Sequence, residues 1–396
     1  MQKLYQEDIK LHTLVIFRGL LQDPVVCNLI QLLEMDHNVT KNTVNAYCEF
    51  ASALFAVTEN LSDYLLKLAV EDENLYMLRK AQGKPISEEL EQCLVKELEI
   101  IQEISRLTSK QFKAVIDWNE FLPEWTTTDY DFVELYQERI RNLSTQGYGI
   151  FAKYHTFLVK NDSLVPVKHP DETKIENLKG YEREREAVLE NTRALLQGKP
   201  AANVLLYGDA GTGKSSTVKA VANHFCGQGL RLIELKKNQL HQIPELVDRL
   251  SKNPLKFILF IDDLSFTKND DDFAALKAIL EGSVAAKTSN LAVYATSNRR
   301  HLIKESFSDR EGDEIHLNDT MQELISLSDR FGLTITFIRP DKKLYLKIVM
   351  NLAEQSGVTI EQEALCVKAE AYALRRGGRS PRVARQFVES LIAEEV

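Results

Sequence analysis

Nine residues in the middle of the chain carry its densest chemistry: GDAGTGKSS, Gly208 to Ser216. Gly208, Gly213, Lys214 and Ser215 satisfy G-x-x-x-x-G-K-[ST], with the apolar run NVLLYG before them and the helix-forming SSTVKAVANHF after them. A loop of this kind curls around a phosphate chain with successive backbone N–H groups pointing inward, an approach that side chains obstruct. The expected phosphate cradle is therefore Gly208, Asp209, Ala210, Gly211, Thr212, Gly213, Lys214, Ser215 and Ser216. The helix start adds partial positive charge, the Lys214 ammonium reaches the β- and γ-phosphates, and the Ser215 hydroxyl is placed to ligate Mg²⁺. An incidental glycine turn would need strand, loop and helix to fall in this order by chance.

FILFIDD, Phe257 to Asp263, is the natural second half: five apolar residues of a buried strand that ends in carboxylates. Asp262 is expected to hold the Mg²⁺ through its water shell, and Asp263 to polarise an attacking water as general base. A third strand, NLAVYATSN, ends in Thr296, Ser297 and Asn298 and is expected between the first two motifs. There Asn298 hydrogen-bonds the attacking water or the γ-phosphate, unless the polar end is an ordinary turn. Arg299 and Arg300 follow, as surface charges or interface cations. Thr267 to Asp270 fits a loose guanine-reading T-K-x-D pattern, but it sits only a few residues after Asp263, whereas a base reader belongs beyond a later strand.

The elements that must position these residues alternate. NVLLYG, LRLIEL, KFILFID and NLAVYATS read as strands, separated by helical stretches that include His241 to Leu250 and DDFAALKAILEG. That alternation predicts an α/β core, a parallel sheet with helices on both faces. Residues 1–147 read as a mainly helical domain: Leu90, Leu94, Leu98, Ile101, Ile104 and Leu107 recur at helical intervals behind an N-cap at Ser87. The stripe reads as core packing, the alternative being a partner-binding coiled coil. Residues 148–170 read as two short strands about an Asn161-Asp162-Ser163 turn and a proline-flanked linker. The α/β core is expected over 171–338, and 339–396, past Pro340, as a helical lid.

The bulk numbers agree with a soluble globular chain of more than one domain: 396 residues, 44% hydrophobic and 27% charged. A formal charge of −9 argues against a broad grip on nucleic acid and favours protein or small-molecule partners. Cys27, Cys48, Cys93, Cys226 and Cys366 are odd in number and widely spaced, and are expected as reduced core residues in a cytoplasm. No apolar run is long enough to span a membrane.

The order GDAGTGKSS, FILFIDD, YATSN, SLSDRFGL and GGRSPRVARQF resembles the five-part signature of AAA+ ATPases over about residues 171–396. More closely, LKGYEREREAVLENT, GLRLIEL, IDDLSF, LKAILEGS and YATSNRRHLI are similar to a bacterial AAA+ family catalogued only as a domain of unknown function. The resemblance implies an adenine pocket at Leu178, Gly180 and Tyr181, and a sensor 1 residue at Asn298. It further implies an arginine finger at Arg330, acting on the γ-phosphate of a neighbouring subunit, and a sensor 2 arginine at Arg382, with Arg379 and Arg385 as close rivals. The alternative for Arg330 is a surface arginine paired with Asp329 or another carboxylate. Between sensor 1 and the finger lies the charged segment from Lys304 to Leu317, where a loop would face such a neighbour.

One departure is Asp263, where many relatives place Glu; replication-initiator and transposition-helper ATPases share the Asp-Asp pair, but those initiators carry a DNA-binding domain after the lid. The expected function is that of an Mg-ATP-dependent AAA+ ATPase, assembled as a homo-oligomer, that switches or remodels a protein partner. A DNA-associated loader or transposition-helper type is the alternative, and a small-molecule kinase a further one.

Overall fold

The computed structural model describes residues 2–35, 40–264, 276, 280, 289–298 and 330–394. The chain divides into two compact units, Met1–Lys153 and Tyr154–Val396. The first is helical: α1 (Gln2–His12), α2 (Pro24–Glu34), α3 (Thr40–Phe55), α4 (Leu61–Glu71), α5 (Leu75–Ala81), α6 (Glu88–Ser105), α7 (Ser109–Lys113), α8 (Phe132–Arg141), α9 (Leu143–Gln146) and α10 (Ile150–Lys153).

Local chemistry decides α6. The Ser87 side chain accepts the Leu90 N–H at 3.3 Å, and Glu88, Glu89 and Glu91 complement the positive end of the helix dipole. Leu94, Leu98, Ile101, Ile104 and Leu107 are all buried in one core with Phe17, Tyr47, Phe50 and Tyr136, so the stripe is core packing. On the same helix Glu97 is only 3% exposed, and its carboxylate accepts the backbone N–H groups of Val15, Ile16 and Phe17. Those donors keep the buried charge satisfied.

The second unit is built on a seven-stranded sheet: β1 (Thr156–Lys160), β2 (Ser163–Pro166), β3 (Val204–Gly208), β4 (Leu230–Leu235), β5 (Lys256–Ile261), β6 (Leu291–Ser297) and β7 (Leu333–Phe337). The spatial order is β2-β1-β4-β5-β6-β3-β7, parallel except for the β1–β2 hairpin. Strands β4, β5 and β6 are buried along nearly their whole length, as parallel strands covered on both faces must be. Among the described residues, the α-helices of this α/β core are α11 (Glu182–Leu196), α12 (Lys214–Phe225) and α13 (Ile243–Ser251).

The hairpin that the sequence sets apart with the linker is instead an edge of this sheet. Asn161 and Asp162, with φ of +48° and +57°, make its tight connection, and Phe157 pairs with Ile233 of β4. The strand β1 is paired on both sides, with β2 and with β4, which local turn signals cannot show. Past β7 the chain turns at Pro340 into α14 (Lys342–Gln355), α15 (Gln362–Arg375) and α16 (Pro381–Glu394), a lid whose own core includes Tyr345, Ile348, Leu365, Ala369 and Phe387.

The five cysteines are free, but none is a core residue: Cys48 is exposed and the other four are half-buried. Their low polarity suggested burial, while the actual core is filled by larger aliphatic and aromatic side chains. Among the described residues no helix is long and apolar enough to cross a membrane. The expected helix over 271–282, apart from Leu276 and Leu280, lies outside the described residues, as do 267–270, Arg299, Arg300, 304–317 and Asp329.

Candidate functional site

Strands β3, β6 and β5 are consecutive neighbours, so the segments that follow them emerge side by side at the carboxyl edge of the sheet, where open α/β folds bind ligands. Gly208 ends β3 with φ +135°; a Cβ there would stand 2.1 Å from the Phe337 carbonyl oxygen, so only glycine fits beside β7. Gly213 precedes α12 with φ +97°, and a Cβ there would meet nothing within 4 Å. Its requirement is conformational rather than one of space.

Lys214 opens α12. Its ammonium donates to the carbonyl oxygens of Gly208 at 3.0 Å and Asp209 at 2.8 Å, and to Asn298 Oδ1 at 3.0 Å. Burial pushes the Lys214 pKa down from the usual lysine range, partly opposed by the acids Asp209, Asp263 and Asp262. Asn298 in turn donates from Nδ2 to Asp263 Oδ1 at 2.7 Å. One chain of hydrogen bonds thus joins the ends of β3, β6 and β5.

A second chain runs beside it. The Ser215 hydroxyl donates to Asp262 Oδ1 at 2.6 Å, and the Thr296 hydroxyl donates to the same oxygen at 2.5 Å. The Asp263 N–H reaches Thr296 Oγ1 at 2.9 Å, which helps hold Asp263 at φ +52°, in the left-handed region. A serine hydroxyl and a carboxylate at contact distance, both oxygen donors, suit a hard divalent cation such as Mg²⁺.

These residues line a cleft of about 470 Å³ together with Ala210, Gly211, Arg382 and Arg385. That is ligand-sized. Of the three arginines that the sequence left in competition, Arg382 and Arg385 both line the cleft from α16, whereas Arg379 is bound by both carboxylate oxygens of Glu370 at 2.8 and 2.7 Å. Leu178 and Tyr181 line an adjoining hollow with Ile348 and Leu352 of α14. That hollow holds only about 40 Å³, little more than one water's share of liquid volume, ~30 Å³. Gly180 stands beside it, and a Cβ there would lie 3.1 Å from Ile348.

Arg330 is not in the cleft. It precedes β7, whose first residue Leu333 pairs with Val204 at the start of β3, while the Gly208–Ser216 loop begins at the end of β3. The five residues of β3 separate the two levels by roughly 15 Å at ~3.3 Å per residue. Two residues matter here beyond the sequence reading. Thr296 orders both acids, and Arg339 meets Asp209, its backbone N–H donating to Oδ2 at 2.9 Å. The signal for Arg339 was the Arg-Pro pair that ends β7's extended run, where the chain must leave the sheet.

Residues 151–395 match the family described as "Protein of unknown function (DUF815)". The chain is 27% identical over 142 residues to an AAA-ATPase of Arabidopsis thaliana, a match covering 34% of this chain and 25% of the relative. It is 25% identical over 211 residues to a 26S proteasome regulatory subunit 6B homolog of Dictyostelium discoideum, covering 45% and 48%. The chain thus spans about a quarter to a half of the length of these two relatives. The Thermotoga maritima RuvB Holliday junction branch migration motor superposes with a TM-score of 0.37 at 17% identity, covering 55% of this chain and 63% of that one.

Proposed function

The chain belongs to the DUF815 family, and from that premise and the geometry of its cleft we propose that it binds Mg-ATP between core and lid and hydrolyses it to switch a protein partner. The observation that carries this reading is the pair of hydrogen-bond chains joining Lys214, Asn298 and Asp263, and Ser215, Asp262 and Thr296, at the carboxyl ends of three adjacent parallel strands. The loop amides from Gly208 to Ser216 and the start of α12 hold the phosphates. Lys214 exchanges its carbonyl and Asn298 partners for phosphate oxygens, a trade that favours its charged form. Ser215 and Asp262 would hold Mg²⁺, which would supply charge neutralisation for the phosphates when bound.

Asp263 takes the proton of the attacking water, and Asn298, already hydrogen-bonded to Asp263, orients that water or the γ-phosphate. Arg382 adds positive charge from the lid side, and Leu178, Gly180 and Tyr181 receive the base. Arg330 completes the site of a neighbouring copy, which makes turnover depend on assembly. An arginine-rich stretch around residues 375–385 would also suit a DNA-associated loader. Arg379 is engaged by Glu370 and Arg382 and Arg385 line the cleft, whereas Arg375 and Arg376 are exposed at the end of α15, so the preference for a protein partner rests on the net charge of −9.

The test is nucleotide binding followed by fluorescent ADP and turnover followed by phosphate release, on wild-type and Lys214→Ala protein. Wild type should bind and hydrolyse, and Lys214→Ala should do neither. Near-normal affinity in a folded Lys214→Ala protein overturns the assignment of the loop.

A further inference from the structure

The lid is joined to the core through Phe337, Ile338 and Arg339, and each of these residues has a backbone group held by a residue of the nucleotide site. The Asp209 N–H donates to the Phe337 carbonyl at 3.0 Å, and the Tyr181 hydroxyl donates to the Ile338 carbonyl at 2.6 Å. The Arg339 N–H donates to Asp209 Oδ2 at 2.9 Å. The Arg339 side chain then spans both sides of the joint. Its Nε lies 3.6 Å from Asp209 Oδ1, and its Nη1 donates to the Gly377 carbonyl, in the turn between α15 and α16, at 3.5 Å. Gly378, with φ +131°, gives that guanidinium room, since a Cβ there would stand 3.0 Å from Nη1.

Asp209 is an unexpected residue for this duty. It occupies a variable position of a phosphate-binding loop, where a carboxylate facing the ligand would repel it. Here the carboxylate faces the root of the lid, and its charge is matched by a guanidinium. On the far side of the same loop the Gly211 carbonyl accepts the Arg382 N–H at 3.2 Å, so the lid grips the loop at two places. The base hollow is narrowed by Ile348 and Leu352 of the lid, so a base entering it displaces α14 about the same root.

Resting on the nucleotide-binding reading above, we infer that Asp209 and Arg339 form a positioning pair that ties the lid's root to the phosphate loop, so that nucleotide in the cleft and the setting of the lid control one another. Neither side chain touches phosphate; both act through the backbone of the loop and of the joint. The two are thermodynamically reciprocal: what loosens the joint weakens nucleotide binding, and nucleotide tightens the joint.

The experiment is a double-mutant cycle on the full chain with Asp209→Ala, Arg339→Ala and the double variant. It is read by fluorescent-ADP affinity and by hydrogen exchange at the Arg339 amide with and without Mg-ADP. Asp209→Ala should weaken affinity about tenfold, as loss of a charge-assisted hydrogen bond does. The double variant should be only marginally worse than Asp209→Ala, a coupling of about threefold or more. Asp209→Asn keeps an acceptor for the Arg339 amide, and should retain that amide's protection while losing coupling to the Arg339 side chain. Mg-ADP should slow exchange at Arg339 in wild type.

Additive single effects, or an Arg339 amide whose exchange ignores Mg-ADP in a protein that binds it, overturn the inference while leaving the site reading intact. If wild type binds no nucleotide, or Lys214→Ala binds it normally, the site reading itself fails.

Discussion

The two ends of the sheet in the second unit differ in kind. At the carboxyl ends of β3, β6 and β5, Lys214, Ser215, Asp262, Asp263, Thr296 and Asn298 satisfy one another through hydrogen bonds of 2.5 to 3.0 Å. At the amino end of β7, on the sheet's edge, stands Arg330. Parallel strands enforce the difference, because whatever follows a strand emerges at one end and whatever precedes a strand sits at the other. The residues that follow β3, β5 and β6 therefore gather, and the arginine that precedes β7 is sent away from them. Lys214, Arg382 and Arg385 stand at the carboxyl end, and Arg330 stands at the amino end, outside its own chain's cleft.

If the two ends serve each other between copies, Arg330→Ala should retain ADP binding and lose on the order of 10³ in turnover. Mixing it with Lys214→Ala subunits should restore part of the rate, each supplying what the other lacks. A titration of one variant into the other, followed by phosphate release, checks this, and a rate that survives Arg330→Ala at every protein concentration breaks the comparison. The carboxyl end is sharpened by Asp263→Asn, which keeps the shape and the contact to Asn298 but removes the base. About 10²-fold slower turnover with affinity kept is the expected result, measured by single-turnover phosphate release.

The smallest effect concerns Arg379, a lid arginine that does not line the cleft. Hydrogen bonds from Arg379 hold the Glu370 carboxyl below its usual range. A carboxylate held lower in the folded than in the unfolded state adds stability that is present above its ordinary pKa of about 4.3, and that is lost as pH falls through the folded value. Arg379→Ala should therefore melt about 1–3 °C lower near pH 7 and merge with wild type on acidification, as thermal scans across pH would show. Its turnover should change far less than that of Arg382→Ala. The reverse ranking would move the lid's cation to Arg379.

Much of this architecture is legible because it is local. The apolar strand NVLLYG, the glycines of the loop and the helix after them encode their own backbone geometry, and FILFI announces a strand buried on both faces. The Ser87 cap and the leucine stripe behind it are equally self-contained, each fulfilled within a turn or two of helix.

What the sequence by itself determined, then, was most of the strands, the loop and the helices, though not β7, and which side chains stand at their ends, since backbone preference and apolar period act between near neighbours in the chain. Only the tertiary structure decided how those ends are used. It gave Arg379 to Glu370 and left Arg382 and Arg385 in the cleft, turned Asp209 toward Arg339, and made the β1–β2 hairpin an edge of the sheet. Each of these is a choice among chemically equivalent partners distant in sequence. Such a choice is settled by which donor and acceptor the packed strands and helices bring within about 3 Å.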